Sequence, residues 1–264
     1  MAVAVVVPAH NEEHRIGACL RSVRRAAAEV APLPVVTVVA ADACTDATAV
    51  VAARAGAHVV RLEHRTVGVA RAAGTAHALH LLAGTGRDVW LAMTDADTTV
   101  PDTWLTDQID WARQGYDVVL GTVRLAGGSR RLTALHDARY FRTRPAGAGE
   151  PWSHPHVHGA NLGLSATAYL RAGGFAALPT GEDRDLVARL AAQGHRIART
   201  DRHPVRTAAR LRGRAPDGLA DLLAALRPSV WDRPLPELRS TPAARSGPGR
   251  AGEPGDAPLV PPLS

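Results

Sequence analysis

Residues 2–13 read AVAVVVPAHNEE, and residues 35–47 read VVTVVAADACTDA. Each is an unbroken run of small and β-branched residues that stops abruptly in polar ones. Such a run, without apolar/polar alternation, marks a strand covered on both faces, as in a parallel sheet. Between the two runs, Glu12–Val30 predicts a helix, with Ile16, Leu20, Val23 and Ala27 on one face. The alternation continues outward. Asp46–Ala55 predicts a short helix, with Gly56 where a C-terminal cap belongs. Ala57–Leu62 predicts a third strand, Val69–Leu82 a helix and Val89–Met93 a fourth strand. Pro101–Gln114 predicts a helix with Pro in its first turn, and Val118–Leu125 a fifth strand. Strands separated by helices of this length imply an α/β fold, a Rossmann-like, mostly parallel sheet flanked by helices. Ligands of such sheets lie at the carboxyl ends of the strands, so the polar residues ending each run are the candidates for chemistry.

The second half is less regular. Leu132–Arg142 predicts a helix, Pro145–His158 a loop, Asn161–Ser165 a short strand and Asp183–Gln193 a helix. From Arg239 onward Pro, Gly, Ala and Ser dominate, a composition that cannot bury a core and is expected to be disordered.

The chain has 264 residues, 46% apolar and 21% charged, a globular balance sufficient for one large domain or two small ones. Aromatics are only 4%, so the core must come from Ala, Val and Leu. Two cysteines exclude a disulfide scaffold and a four-cysteine zinc site. No run approaches the roughly 20 apolar residues of a spanning helix. Met1 leads straight into strand-like sequence without a basic n-region, so the expected compartment is the cytoplasm. The net charge of +6 is concentrated in residues 202–250, where ten Arg face four acids. All 31 basic residues are Arg. Mechanisms that need a lysine are thereby excluded, including a P-loop lysine, a Schiff base and a pyrophosphorylase lysine. The Gly-x-Gly-x-x-Gly phosphate cradle is also absent after the first strand.

Four constellations carry the chemistry. Asp95-Ala96-Asp97 follows the apolar strand VWLAM, and two carboxylates there can converge on a cation. Hard oxygen ligands suit Mg²⁺ or Mn²⁺, which would neutralise a departing diphosphate; otherwise the pair simply caps a turn. Pro8-Ala9-His10-Asn11-Glu12-Glu13 offers a ring to stack on a base and carboxylates to accept from it, or acids suited to a helix N-terminus. Asp42 lies ahead of the capping residues Thr45 and Asp46 and is free to bind a ligand. Gly181-Glu182-Asp183 opens a helix after the bend Gly173-Gly174-Phe175, as capping acids or with a general base among them. His154, His156 and His158 recur every second residue, on one side of an extended segment. Cys19, Trp104 and Trp111 read as core; no chemistry is assigned to Cys44.

In this order, PAHNEE, VVAADACTDAT, VGVARAAGTA with Arg71, MTDADT, HGANLGLSATAYLRAGGF and GED resemble family 2 glycosyltransferases of the GT-A fold, over about residues 3–215. The resemblance implies a transferase that takes its sugar from a nucleotide-diphospho-sugar. It implies Pro8, Ala9, His10, Glu12 and Asp42 on the nucleotide, and Arg71 on the diphosphate or base. It places Asp95 on the nucleotide and the metal, Asp97 on the metal, and Asp183 as the base of inverting members. His158, Gly159, Asn161 and Glu182 would meet the acceptor. The cofactor would be Mn²⁺ or Mg²⁺; His158 or His203 could add a third ligand, the other reading of the histidines being a polar acceptor-site loop. Residues 1–125 would be the nucleotide-sugar half, 126–238 the acceptor half of the same domain, and 239–264 a tail. Ala41 stands where the family often has a first aspartate, and His10 where it has an aromatic stacker, which weakens any preference for uracil. The Gln-x-x-Arg-Trp signature of processive synthases is missing, so the expected reaction is non-processive. The acceptor would be a small molecule or lipid-linked. A retaining transferase and a non-catalytic nucleotide- or carbohydrate-binding protein are the alternatives. The Arg-rich C-terminal part lacks the aromatic interleaving of a nucleic-acid site, so no nucleic-acid partner is expected. Peripheral contact with an anionic membrane at its inner face, and the oligomeric state, stay open.

Overall fold

The computed structural model describes residues 1–145 and 152–209. Among the described residues, eight strands form one sheet: β1 (Ala2–Ala9), β2 (Val35–Asp42), β3 (His58–Leu62), β4 (Val89–Met93), β5 (Thr98–Thr99), β6 (Val118–Ala126), β7 (Leu162–Ser165) and β8 (Ile197–Ala208). Seven helices accompany them: α1 (Ile16–Ala28), α2 (Thr48–Arg54), α3 (Val67–Leu82), α4 (Trp104–Arg113), α5 (Arg130–Tyr140), α6 (Ala166–Arg171) and α7 (Glu182–Ala192). A single 3₁₀ turn, Gly159–Asn161, leads into β7.

The strand order is β3-β2-β1-β4-β7-β6-β8-β5. β1 to β4 pair in parallel, as do β6 and β8. β7 runs antiparallel to β4 and β6 and joins the two parallel groups. β5 pairs antiparallel with β8. The α/β reading therefore holds, with two inverted strands among six co-directional ones.

β1 explains why its sequence does not alternate. Val3, Val5 and Val7 pack into one core layer with Ile16, Cys19 and Leu20 of α1 and Trp104, Leu105 and Ile109 of α4. Ala4 and Val6 pack into the other, with Ala78 of α3, Tyr169 of α6 and Leu186 and Leu190 of α7. Both faces are covered, so both parities are apolar. α3 can lie this close because of Gly74, where a Cβ would sit 2.7 Å from a Val6 methyl.

Some elements differ from expectation. α1 begins at Ile16, not Glu12, because Asn11 is left-handed (φ 52°) and the Glu12 N–H donates to Thr48 Oγ1 at 2.6 Å, outside any helix. α7 opens one residue early, at Glu182. α6 and β8 were not anticipated; β8 has one long partner, β6, and only two-residue β5 on its other side, so it tolerates Arg, Asp and His. The expected tail 239–264 and most of the Arg-rich 202–250 segment lie outside the described residues.

Candidate functional site

The loops after β1, β2 and β3 each turn on a left-handed non-glycine residue: Asn11 (φ 52°), Ala43 (φ 49°) and Arg65 (φ 53°). Such residues are uncommon and persist where surrounding bonds over-determine them. Those bonds are present. Asn11 Oδ1 accepts from the Thr45 N–H at 2.8 Å, and Glu13 Oε2 from the Ala47 N–H at 2.9 Å. His10 Nδ1 lies 2.7 Å from the Asp42 carbonyl, which can only accept, so that nitrogen carries the proton. Asp42, 3% exposed, accepts from the N–H of His64 at 2.6 Å and of Thr66 at 2.8 Å. Asp42, expected on the nucleotide, braces the loop between β3 and α3, with lone pairs to spare. Pro8 and Ala9 are the buried last residues of β1. Glu12, 7% exposed, starts α1 through its carbonyl, which accepts from Arg15 and Ile16.

A second cluster lies where α3, β4 and α7 meet. Arg71, 4% exposed, donates through Nη2 to Asp95 Oδ1 at 2.6 Å and through Nη1 to Glu182 Oε1. Its buried Nε has no hydrogen-bond partner among the described residues. Burial opposes the Arg71 charge, but Asp95, Glu182 and Asp183 outweigh it and hold its pKa up. Burial raises the Glu182 carboxyl, Arg71 pulls it back, and Asp183 and Asp95 push it up again. Glu182 was expected on the acceptor; its 3%-exposed carboxylate is committed to Arg71. Asp183 accepts from the Gly159 N–H at 2.7 Å through Oδ2 and from the Arg184 N–H at 2.8 Å through Oδ1. Gly159, also expected on the acceptor, has no side chain for a reason: a Cβ there would lie 2.3 Å from the Arg71 guanidinium carbon.

Asp95 and Asp97 are half-buried at the end of β4. The Cys19 thiol donates to the Asp95 carbonyl at 3.4 Å, and its pKa is pushed up by burial and then by Asp95, Asp97 and Glu12. Three carboxylates therefore share one neighbourhood. Asp97 Oδ1 accepts from Thr207 Oγ1 at 3.4 Å. Among the described residues no group of three or more His, Cys, Asp and Glu is placed to hold a metal ion. The histidine third ligand is not in place: His158 Nε2 bonds the Tyr140 hydroxyl at 2.9 Å, and His203 lies on Thr103 (2.9 Å) and Asp107 (3.5 Å). Two hard carboxylates still fit an ion that keeps most of its positions for phosphate and water.

The three histidines do share one side, stacked in file at 5.8 and 6.1 Å between ring centroids. Tyr140 of α5 lies flat on His156 at 3.7 Å. Burial lowers the pKa of His154 and His156 and pushes His158 down to about 4, although Asp183 pulls His158 back up. Asn161, the remaining acceptor expectation, lies inside the fold. It is 4% exposed; Nδ2 donates to the Thr122 and His203 carbonyls, and Oδ1 accepts from Trp104 Nε1 at 2.9 Å. With its side chain saturated inside the fold, it pins α4, β6 and β8 together. Tyr140 was missed by sequence reasoning, since nothing in ARYFR ties that ring to a histidine 18 residues on.

Residues 4–171 match the family described as glycosyl transferase family 2. A dolichyl-phosphate hexose transferase of Haloferax volcanii is 32% identical over 136 residues, 52% of this chain. The match takes in 54% of that relative, so the chain spans about half the length of the curated protein it resembles. The structure of S. aureus TarS 1–349 in complex with UDP-GlcNAc overlays with a TM-score of 0.59 at 17% identity, covering 83% of this chain and 61% of that one. A Pyrobaculum calidifontis mannosyltransferase in complex with GDP-Man and Mn²⁺ overlays at 0.54 with 22% identity, covering 80% and 58%. At these identities the overlays establish the fold, which is GT-A.

Proposed function

The chain belongs to glycosyl transferase family 2, and on that premise we propose that it moves a sugar from a nucleotide-diphospho-sugar to an acceptor, with inversion and one sugar at a time. The observation that carries this reading is that Asp95 and Asp183 flank one buried guanidinium at the carboxyl ends of the strands. Residues 1–125 supply the donor side: Pro8, Ala9, His10, Glu12 and Asp42 wall the base and ribose, and Asp95 faces the diphosphate. Asp95 and Asp97 would hold Mn²⁺ or Mg²⁺, which when bound neutralises charge on the departing diphosphate. Asp183 takes the proton of the acceptor hydroxyl, whose oxygen attacks the anomeric carbon opposite the leaving group, through an oxocarbenium-like state. Residues 126–238 supply the acceptor side.

The name of the Haloferax relative favours a second reading of the acceptor as a lipid-linked phosphate. A phosphate oxygen is already anionic at neutral pH, so Asp183 would then orient the acceptor rather than deprotonate it. A panel of UDP-, GDP- and dTDP-sugars with Mn²⁺, with and without alcohol and polyprenyl-phosphate acceptors, tests both readings. Inverted product by NMR is expected; a retained anomeric centre removes the single displacement, and no donor turnover removes the transferase. No helix among the described residues is long and apolar enough to cross a membrane. The free cysteines Cys19 and Cys44 suit a reducing compartment such as the cytoplasm. Peripheral contact with an anionic membrane is assigned to the Arg-rich C-terminal part by its charge alone.

A further inference from the structure

Arg71 was expected to lie against the donor. Its two terminal nitrogens are instead given to carboxylates from two different elements, Asp95 after β4 and Glu182 at the first position of α7. The fold makes room for this in two places. A Cβ at Gly159 would strike the guanidinium, and a Cβ at Gly68, one turn before Arg71, would lie 2.4 Å from the Ala176 carbonyl. The segment leading into α7 is therefore pressed against α3. The same Gly159 that packs on Arg71 gives its N–H to Asp183, the neighbour of Glu182. A planar, two-pronged cation can satisfy two carboxylates at once in fixed directions, which an ammonium point charge cannot.

The geometry points to Arg71 and Glu182 as a positioning pair that sets the distance between the donor-side carboxylate Asp95 and the acceptor-side carboxylate Asp183. Neither touches a reacting atom in this arrangement. Glu182 anchors Arg71, Arg71 anchors Asp95, and the first turn of α7 carries Asp183 to a place fixed by both. A displacement of Asp95 on donor binding is passed through the guanidinium to α7. The inference rests on the proposed function for the roles of Asp95 and Asp183, but the linkage can be read without turnover.

The test uses the full chain with Glu182→Gln, Arg71→Lys, their combination and Gly159→Ala. Displacing a reacting group by about 1 Å costs up to about 10²-fold in rate, so Glu182→Gln should lower kcat between about 10- and 100-fold. Nucleotide Kd, by calorimetry with UDP or GDP and Mn²⁺, and acceptor KM should each stay within about threefold, because neither ligand touches Glu182. The double variant should be no worse than the poorer single one, since residues acting through one another are not additive. Amide exchange over residues 182–186 should quicken in every variant. An acceptor KM that rises with kcat unchanged makes Glu182 an acceptor ligand and overturns the inference; so do independent, multiplying effects. Should Glu182→Gln not fold, Gly159→Ala displaces the guanidinium without removing a polar group and carries the same expectation. A wild-type chain that turns over no nucleotide sugar sinks the proposed function, while unchanged exchange at 182–186 in the variants sinks the pair.

Discussion

The two sides of the candidate site are built in different ways. The side formed by β1, β2 and β3 is made of loops that close on themselves: Asp42 binds backbone amides 22 and 24 residues away, and Asn11 meets Thr45 across neighbouring strands. The side formed by β4, β7 and α7 is made of side chains that meet across long stretches of chain, Arg71 with Glu182 over 111 residues and Trp104 with Asn161 over 57. The first wall is held by charge-to-amide bonds, which keep their shape through the backbone. The second is held by a buried ion cluster in which Arg71 bonds both Asp95 and Glu182. A buried ion pair contributes little net stability but is costly to break on one side only. Damage to the second wall should therefore be severe and global, damage to the first milder and local.

The sharpest way to break that contrast is Arg71→Ala. It leaves the Glu182 carboxylate buried without its cation and should destabilise the fold by about 3–5 kcal/mol in urea unfolding. A loss below about 1 kcal/mol would place the pair among surface bridges and erase the difference between the walls. Asp183→Asn keeps the size of the side chain and one acceptor oxygen, enough for the Gly159 or the Arg184 N–H but not both, and removes proton acceptance. With an alcohol acceptor, turnover should fall about 10²- to 10⁴-fold with nucleotide affinity unchanged. Normal turnover with a phosphate acceptor would assign Asp183 an orienting role.

On the first wall, Asp42→Ala removes two bonds to a charged acceptor and should cost about 2 kcal/mol. Exchange of the His64 and Thr66 amides should rise while those of α7 stay protected; equal loosening of both walls would contradict their separation. Acid should act on the second wall first. His158 is held neutral by burial, with His156, His154 and His136 opposing its charge, Asp183 favouring it and the Tyr140 hydroxyl bonded to it. Between about pH 6.5 and about pH 4 the unfolded chain binds a proton there that the folded chain refuses, so stability falls as pH is lowered through that window. A urea midpoint flat across that window would place His158 in contact with solvent. Smallest of all, Ala43→Gly relieves a left-handed residue but frees the unfolded chain. The net change should stay within about 1 kcal/mol of zero, read from the same urea midpoints; a larger gain would mean that the loop after β2 is strained rather than braced.

The same contrast decides what could be read in advance. The strands and helices around β1 to β4 were legible because their signals are local: apolar runs, polar stops and helix periods inside one window. The carboxylates ending the strands were legible for the same reason. The sequence could not show where α1 begins, because Asn11, in the loop after β1, and Thr48, at the start of α2, set that limit together. Nor could it show that Asn161 is saturated by Trp104, Thr122 and His203, or that Glu182 has a cation, since each partner is many residues away. β8 was hidden by composition: IARTDRHPVRTA carries the polar residues of a sparsely covered strand, without the apolar parity that betrays one.

The Asp42 brace has a kinetic side. Because its carboxylate already holds His64 and Thr66, the surface that would receive a base is assembled before any ligand arrives. Ordering that loop is then a matter of folding, and an incoming nucleotide meets a rigid platform rather than a segment it must freeze. Association should accordingly be a single fast phase, with no slow isomerisation after encounter. Differences among nucleotides should appear in how long each one stays, not in how quickly it lands.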